Sequence, residues 1–269
     1  MVMEDPDEYE MEQTEGIGIF VPGSYIERNM NWDSFFSVLL YTGAAIGLFL
    51  LATVIVLVPL IAFGFIQINL TTLEITFEPW AFLIASFAEI AFIIPPLYYV
   101  RKKGINLRSL GIKTSDLGRD ILIGLGVGAI MLVSNIAVTW LTFEVFPVSE
   151  ESQIELTFAS SMPELIGWFL VMFLVVGTTE ELLFRGFLQR RMEMYFRQSN
   201  RKRYRLLALV LSSLIFAAIH LELLGIPTRF VLGLFLGYLA QERKYSLVAP
   251  AVAHGLNNSI AVLLTFLGF

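Results

Sequence analysis

The chain of 269 residues is 56% hydrophobic and 16% charged, and its mean hydropathy is +0.72. A soluble domain of this length needs far less apolar side chain for its core, so a soluble globular protein is excluded. The chain has no cysteine, which excludes disulfide scaffolds, cysteine-ligated metals and thiol nucleophiles. Its net charge of −6 gives no sign of a nucleic-acid groove. We therefore predict an all-α, polytopic transmembrane helical bundle with the lipid bilayer, and no nucleic acid, as a partner.

The predicted elements begin after a polar, acidic N-terminal tail, 1–33, which has no apolar h-region and so does not read as a signal peptide. Most of the apolar windows that follow approach the roughly 20 residues that a spanning helix needs. They are 34–73, 79–100, 121–143, 165–179, 206–221, 230–241 and 245–269. The first window is long and contains Pro59, and the sixth is short. The sequence thus predicts about seven spanning helices, with eight as the alternative.

The basic residues predict the orientation of the bundle, because Lys and Arg near helix ends stay on the cytoplasmic side. The loop 101–120 carries six of them and the segment 185–205 carries eight, whereas 67–78 and 143–163 carry none. This alternation predicts a cytoplasmic N-terminus. The basic residues are expected at the lipid headgroups, where they favour anionic lipid.

The most informative residues are the ionisable ones inside the apolar windows, because an unpaired one costs about 2.5 kcal/mol or more at a helix centre. They are Glu89, Glu180, Glu181, His220 and His254, and the two histidines are the only ones in the chain. A glutamate pair together with both histidines favours a functional site over buried structural residues. Glu89 precedes two prolines, and it either faces the same cavity or pairs near a kink.

The two adjacent glutamates are predicted to have different roles. Glu181 and Arg185 are four residues apart and share one helix face, so the arginine can neutralise that glutamate. Glu180 lies about 140° around the helix from Arg185. It is therefore the better candidate for a carboxylate that accepts and returns a proton.

The histidines also have neighbours one helical turn away. Phe216 precedes His220, and Asn258 follows His254. A glutamate, two histidines and an asparagine from three helices can activate water and stabilise an oxyanion, or hold a metal ion. The zinc motif H-E-x-x-H on one helix is absent from the sequence. A distributed zinc site formed by Glu180, His220 and His254 stays open as the alternative.

Small-residue pairs are predicted to let helices approach closely. Gly124 with Gly128 and Gly233 with Gly237 have the G-x-x-x-G spacing. Gly255, which follows His254, is expected to serve packing in the same way. We assign no chemistry to these glycines.

Three motifs occur in order in the C-terminal part of the chain: E-E-x-x-x-R at Glu180–Arg185, F-x-x-x-H at Phe216–His220 and H-x-x-x-N at His254–Asn258. In this respect the chain resembles the CPBP family of intramembrane proteases, which includes Rce1-type CAAX prenyl endopeptidases and the bacteriocin-processing or Abi-type immunity proteins. The resemblance covers roughly 163–269. It predicts a catalytic transmembrane core there, preceded by N-terminal transmembrane helices at 34–162.

The resemblance implies peptide-bond hydrolysis inside the membrane. Glu180 and His220 would polarise a water molecule, while His254 and Asn258 would form the oxyanion hole. This mechanism requires no cofactor, and zinc is the alternative. The substrate would be a membrane-bound peptide or protein, prenylated or not, and the site would lie in the cytoplasmic half of a cell membrane or endomembrane. The residues expected to support the site are Glu181, Arg185 and Phe216.

Two other functions remain open from the residues. A proton-coupled transporter would use Glu89, Glu180 and the histidines as a relay, but the sequence shows neither inverted repeats nor a path to both faces. A non-catalytic scaffold or immunity protein would bind a membrane partner without cutting it. The intact motif set favours the protease.

Overall fold

The computed structural model describes residues 35–69, 75–103, 107–112, 116–146, 159–199, 201–220 and 222–268, so the predicted tail 1–33 lies outside the described residues. Helices dominate these ranges, as predicted, and a short antiparallel hairpin joins the first two of them. The hairpin pairs β1 (Ile66–Ile68) with β2 (Ile75–Phe77). The helices are α1 (Phe35–Ala62), α2 (Pro79–Lys102), α3 (Leu117–Val145), α4 (Met162–Arg197), α5 (Tyr204–Ala218), α6 (Leu223–Glu242) and α7 (Val248–Phe266).

Six of these helices are long and apolar enough to cross a membrane, and α5 is apolar but only 15 residues long. The predicted all-α polytopic bundle is therefore confirmed, with the seventh predicted span present as the shorter helix. The sequence predicts that the apolar window 206–221 carries His220 on a helix. The structure corrects this detail, because α5 ends at Ala218 and His220 lies in the turn that follows.

Two helices depart from regular α geometry close to the glutamates. In α2, a 3₁₀ segment, Ser86–Ile93, carries Glu89 and precedes Pro95 and Pro96. Proline lacks the N–H that an α-helix needs, which accounts for the break. In α4, π-helical segments at Met172–Val176 and Leu182–Gln189 enclose the short α segment that contains Glu180 and Glu181. Such π segments occur frequently at functional sites.

Helix α7 packs against both α3 and α4 across glycines. A Cβ atom at Gly124 would lie 2.6 Å from the carbonyl oxygen of Ala249, and one at Gly177 would lie 2.8 Å from that of Ala251. At Gly255 it would lie 2.7 Å from the ring of Phe173. No side chain fits into these crossings, so the glycines allow α7 to reach the glutamates of α4.

The second glycine pair brings α6 against α5. A Cβ atom at Gly233 would lie 2.8 Å from the Cβ of Ser213, and one at Gly237 would lie 2.5 Å from Leu209 Cδ1. The packing role predicted for these glycines is confirmed.

Helix α4 continues far beyond the glutamates and then returns as α5. Glu180 precedes the end of α4, at Arg197, by a certain number of residues. His220 follows the start of α5, at Tyr204, by nearly the same number. Because the two helices run in opposite directions, this near-equality brings Glu180 and His220 to the same level of the bundle.

The extension of α4 is covered by protein, which corrects one prediction. Arg190 and Arg191 are only 2% and 3% exposed, so they do not lie at the lipid headgroups. The Arg191 guanidinium stacks 4.6 Å from the Phe187 ring and donates to Ser109 Oγ at 3.4 Å. The sequence could not show this, because covering segments from α1 and from residues 107–110 are distant along the chain.

Candidate active site

Glu181 and Arg185 form the buried ion pair that their spacing predicts. Glu181 Oε2 lies 3.2 Å from Arg185 Nε, and the two side chains are 0% and 1% exposed. The guanidinium also lies over the Phe216 ring, 4.6 Å from its centroid, and Nη2 is 3.5 Å from the carbonyl oxygen of Gly233. These contacts on several sides compensate for the removal of the charged groups from water.

The second oxygen of Glu181 binds His254. Glu181 Oε1 lies 3.0 Å from His254 Nδ1. An ionised carboxylate only accepts hydrogen bonds, so Nδ1 carries the hydrogen. The opposite ring nitrogen, Nε2, is directed towards Glu180, whose Oε2 lies 3.8 Å away. Glu181 therefore orients both Arg185 and His254, and the sequence does not predict the second contact.

Glu180 is the second buried carboxylate next to His254. Its side chain is buried, and its Oε2 has no hydrogen bond among the described residues. The 3.8 Å separation from His254 Nε2 is too long for a hydrogen bond. Buried polar atoms are nearly always paired in folded proteins, so an unpaired carboxylate oxygen needs a functional or solvent-related explanation.

Phe216 packs between the two histidines. Its ring meets His220 edge-on at 5.0 Å and His254 at 5.9 Å. His220 Nδ1 donates to the carbonyl oxygen of Phe216 at 2.8 Å. A carbonyl can only accept, so the hydrogen is on Nδ1 and the neutral ring keeps Nε2 as an acceptor.

Asn258 projects from α7 one turn beyond His254. Its Oδ1 accepts a hydrogen bond from Asn257 Nδ2 at 3.2 Å, and Asn257 Oδ1 accepts one from Asn135 Nδ2 at 3.1 Å. Asn257 and Asn135 are polar residues that the sequence analysis missed. Asn135 was detectable as an amide within the apolar window 121–143, whereas its contact with α7 was not.

One cavity of about 450 Å³ joins these side chains. Glu89 lines it from α2, which answers the sequence question of where that residue faces, and its Oε2 has no hydrogen bond among the described residues. An ion pair between Arg229 and Glu222 lies at the same cavity. The predicted residues that line the cavity are Glu180, Phe216, His220, His254 and Asn258.

Residues 162–260 match the model of a protein family described as Rce1-like, type II CAAX prenyl endopeptidase. The matched region contains all three motifs and the helices that carry them. This part of the chain is therefore similar to the Rce1-like family. The resemblance to the CPBP proteases is thereby confirmed. No curated protein and no solved structure matches the chain.

This match supports a CAAX-type intramembrane protease in general, and the six long apolar helices among the described residues support an integral membrane protein. The Rce1-like region contributes Glu180, His220, His254 and Asn258 to the cavity. Glu89 and Asn135, on the facing walls, come from α2 and α3 outside the matched residues.

The zinc alternative can be compared with the arrangement of the side chains. Within the described ranges, no three histidine, aspartate or glutamate side chains converge as a metal-ligand set. We therefore derive no step through a metal, and the zinc site formed by Glu180, His220 and His254 stays an alternative to test.

Proposed function

We propose that this Rce1-like protein hydrolyses peptide bonds of membrane-associated substrates with a water molecule that Glu180 and His220 activate. The observation that carries the proposal is the Glu180 carboxylate, which is buried, lines the cavity and has no hydrogen bond from Oε2 to any described residue. A poorly solvated carboxylate is suited to accept a proton and return it. His220 Nε2, an acceptor in the neutral ring, would receive the second hydrogen of the water.

In the reaction, the water oxygen attacks the scissile carbonyl carbon while Glu180 takes one water proton. The carbonyl oxygen becomes an oxyanion and accepts hydrogen bonds from His254 Nε2 and Asn258 Nδ2. Since His254 Nδ1 already donates to Glu181, donation from Nε2 requires the imidazolium form, and the two glutamates balance its charge. Breaking the C–N bond transfers the Glu180 proton to the leaving nitrogen, so the side chains return to their starting state.

Glu181, Arg185 and Phe216 would support this reaction without touching the substrate. Glu181 fixes the His254 ring, and Arg185 holds Glu181. Phe216 separates the two imidazoles and sets the tautomer of His220 through its carbonyl oxygen. These contacts hold the reacting groups in place, which is where much of the rate of an enzyme originates.

We further propose that the N-terminus and the active site lie on the cytoplasmic side. The ends of α2 and α6 and the start of α3, with Arg101, Lys102, Arg119 and Arg243, are expected on one face, which the basic-residue rule makes cytoplasmic. Phe35, at the start of α1, packs on Tyr195 near the end of α4, so it lies on the same face. Helix α7 starts at this face, and His254 is six residues from its start. His254 therefore lies about 9 Å below the cytoplasmic end of the helix.

The substrate proposed here is a peptide or protein that reaches the cavity from the membrane. A prenylated C-terminal peptide is one candidate, and an unprenylated membrane-bound chain is the other. The 450 Å³ cavity, with carboxylates, amides and histidines on its walls, can hold an extended backbone of a few residues.

The test is hydrolysis by the purified protein in liposomes. The substrates are a farnesylated CAAX peptide and a pool of unprenylated proteome-derived peptides, with fragments identified by mass spectrometry. We expect cleavage by the wild type, no cleavage by Glu180→Ala, and wild-type cleavage by Glu144→Gln, which alters an exposed carboxylate on α3. Cleavage that survives Glu180→Ala would contradict the mechanism. Cleavage of neither substrate by the wild type would contradict the proposed reaction and favour a scaffold or immunity role.

A further inference from the structure

Three asparagines form a hydrogen-bonded row along one wall of the cavity. Asn135, on α3, donates from Nδ2 to Asn257 Oδ1 at 3.1 Å, and Asn257, on α7, donates from Nδ2 to Asn258 Oδ1 at 3.2 Å. All three line the cavity. Asn257 is 3% exposed, so water does not compete freely for its two bonds.

The row has a direction. A carboxamide offers an oxygen that accepts and an NH₂ group that donates, so each link fixes which end of the next amide faces forward. Because Asn258 Oδ1 is occupied by Asn257, the NH₂ group of Asn258 is the end left for the cavity. Among the described residues, no other hydrogen bond engages the Asn258 amide.

This direction matters for an oxyanion. An amide that turned the other way would place its oxygen lone pairs against the developing negative charge instead of an N–H donor. An isolated asparagine can adopt either orientation, since its two ends have nearly the same shape. A donor that is fixed before the reaction stabilises the transition state without paying for reorientation.

We propose that Asn135 and Asn257 are positioning residues, which fix the Asn258 amide so that its NH₂ group faces the reacting carbonyl. The inference rests on the oxyanion role of Asn258 in the proposed function. Asn135 lies outside the family-matched residues, so this part of the site is a feature of the chain's own α3.

A purely structural role makes a different prediction. Polar side chains commonly join transmembrane helices, and the bond from Asn135 to Asn257 joins α3 to α7. If that were its whole function, its loss would lower stability and leave kcat unchanged in the molecules that fold. If it directs Asn258, its reversal lowers kcat in folded protein and changes KM little.

The direction can be reversed by one substitution, Asn135→Asp. An ionised aspartate only accepts, so Asn257 must turn its NH₂ group towards position 135 and its oxygen towards Asn258. Asn258 then donates to Asn257 and presents oxygen to the cavity. We expect kcat to fall by about 10²- to 10³-fold, the usual effect of losing one oxyanion donor. The matched variant Asn135→Leu removes the fixed direction without reversing it. The Asn258 amide would then adopt its two orientations equally, and kcat would fall about twofold.

A double-mutant cycle in the liposome assay tests the inference, with folding checked by thermal unfolding. Asn135→Asp should lower kcat when it is the only substitution and should lower it little further in the Asn258→Ala background. The reason is that both substitutions act on the same donor, the Asn258 amide. Asn257→Asp, which keeps the bond from Asn135 and reverses only the second link, serves if Asn135→Asp does not fold.

Three results would overturn parts of this account, and they are distinguishable. An equal loss in the Asn258→Ala background would mean that the aspartate acts through its charge and not through Asn258. Unchanged kcat in folded Asn135→Asp and Asn257→Asp would mean that the row only joins helices. Unchanged kcat in Asn258→Ala would contradict the oxyanion role in the proposed function itself, whatever the other variants show.

Discussion

Glu180 and Glu181, adjacent in the sequence, lie near opposite nitrogens of a single imidazole ring. Glu181 Oε1 is 3.0 Å from His254 Nδ1, and Glu180 Oε2 is 3.8 Å from His254 Nε2. Glu181 contacts both a histidine and an arginine, whereas Glu180 lies near the histidine alone, at a distance too long for a hydrogen bond. The same residue type thus lies in an ion pair at position 181, whereas at position 180 it lies in the environment that we propose to be reactive.

Substitution by glutamine should lower stability at Glu181, whereas at Glu180 it should lower activity and leave stability near wild type. Glu181→Gln leaves the Arg185 cation buried without its counter-charge, and breaking such a pair costs about 3–5 kcal/mol of unfolding free energy. Glu180→Gln removes no hydrogen bond from Oε2, so stability should stay near wild type while activity falls by about 10²- to 10⁴-fold. Thermal unfolding and peptide hydrolysis measure the contrast. Equal stability of the two variants would contradict the assigned environments.

Phe216 should matter more for rate than its packing alone requires. Phe216→Leu removes the ring contacts with both histidines, and a small shift of reacting groups can cost about 10²-fold in rate. Phe184→Leu is the matched control, since that ring contacts Phe216 and the Arg185 guanidinium but neither histidine. We expect similar losses of thermal stability from the two variants and a larger loss of kcat from Phe216→Leu. A larger loss of kcat from Phe184→Leu than from Phe216→Leu would contradict a role of Phe216 at the site.

The metal-free mechanism predicts that chelators do not inhibit hydrolysis. Protein dialysed against EDTA and 1,10-phenanthroline should keep its kcat and contain no stoichiometric zinc by elemental analysis. Activity that is lost on chelation and restored by Zn²⁺ would favour the alternative ligand set Glu180, His220 and His254.

Helix α3 offers two glycines that should behave differently although they are two residues apart. At Gly124 a Cβ would lie 2.6 Å from the carbonyl oxygen of Ala249, whereas at Gly126 nothing lies within 4 Å. Gly124→Ala should therefore push α3 away from α7 and lower both stability and activity. Gly126→Ala should be neutral or stabilise by about 0.5–1 kcal/mol, as alanine does in a helix. Thermal unfolding separates the two, and equal effects would contradict the close approach.

The turn between α6 and α7 predicts a loss of stability at high pH. Burial raises the pKa of the Tyr245 phenol, with a further contribution from Glu193, which accepts a hydrogen bond from the Tyr245 hydroxyl. The folded phenol holds its proton more tightly than the unfolded one. Its contribution is therefore complete below the unfolded pKa of about 10 and is lost as pH rises towards the folded value. Denaturant unfolding between about pH 8 and 11 should show a fall that is smaller in Tyr245→Phe.

Much of the site follows from the sequence because its key relationships are local. The spacing of Glu181 and Arg185 predicts their ion pair. The ionisable residues in apolar windows, where a charge is energetically unfavourable, identify the cavity side chains. The bond from Glu181 to His254 joins residues 73 positions apart and depends on how closely α7 approaches α4. The Asn135 bond spans 122 positions, so no local pattern predicts it. The turn at His220 was missed because hydrophobicity continues past the end of α5.

The cavity is encoded in two separate stretches of the chain. The Rce1-like region supplies the proposed reacting groups, and α2 and α3 supply the facing walls with Glu89 and Asn135. A chimaera that exchanges α2 alone would alter the cavity wall and leave Asn258, the proposed oxyanion donor, in place. Exchanging α3 would break the asparagine row unless α7 were exchanged with it. The cavity wall can thus be changed through α2 alone, whereas an exchange of α3 requires the exchange of α7 with it.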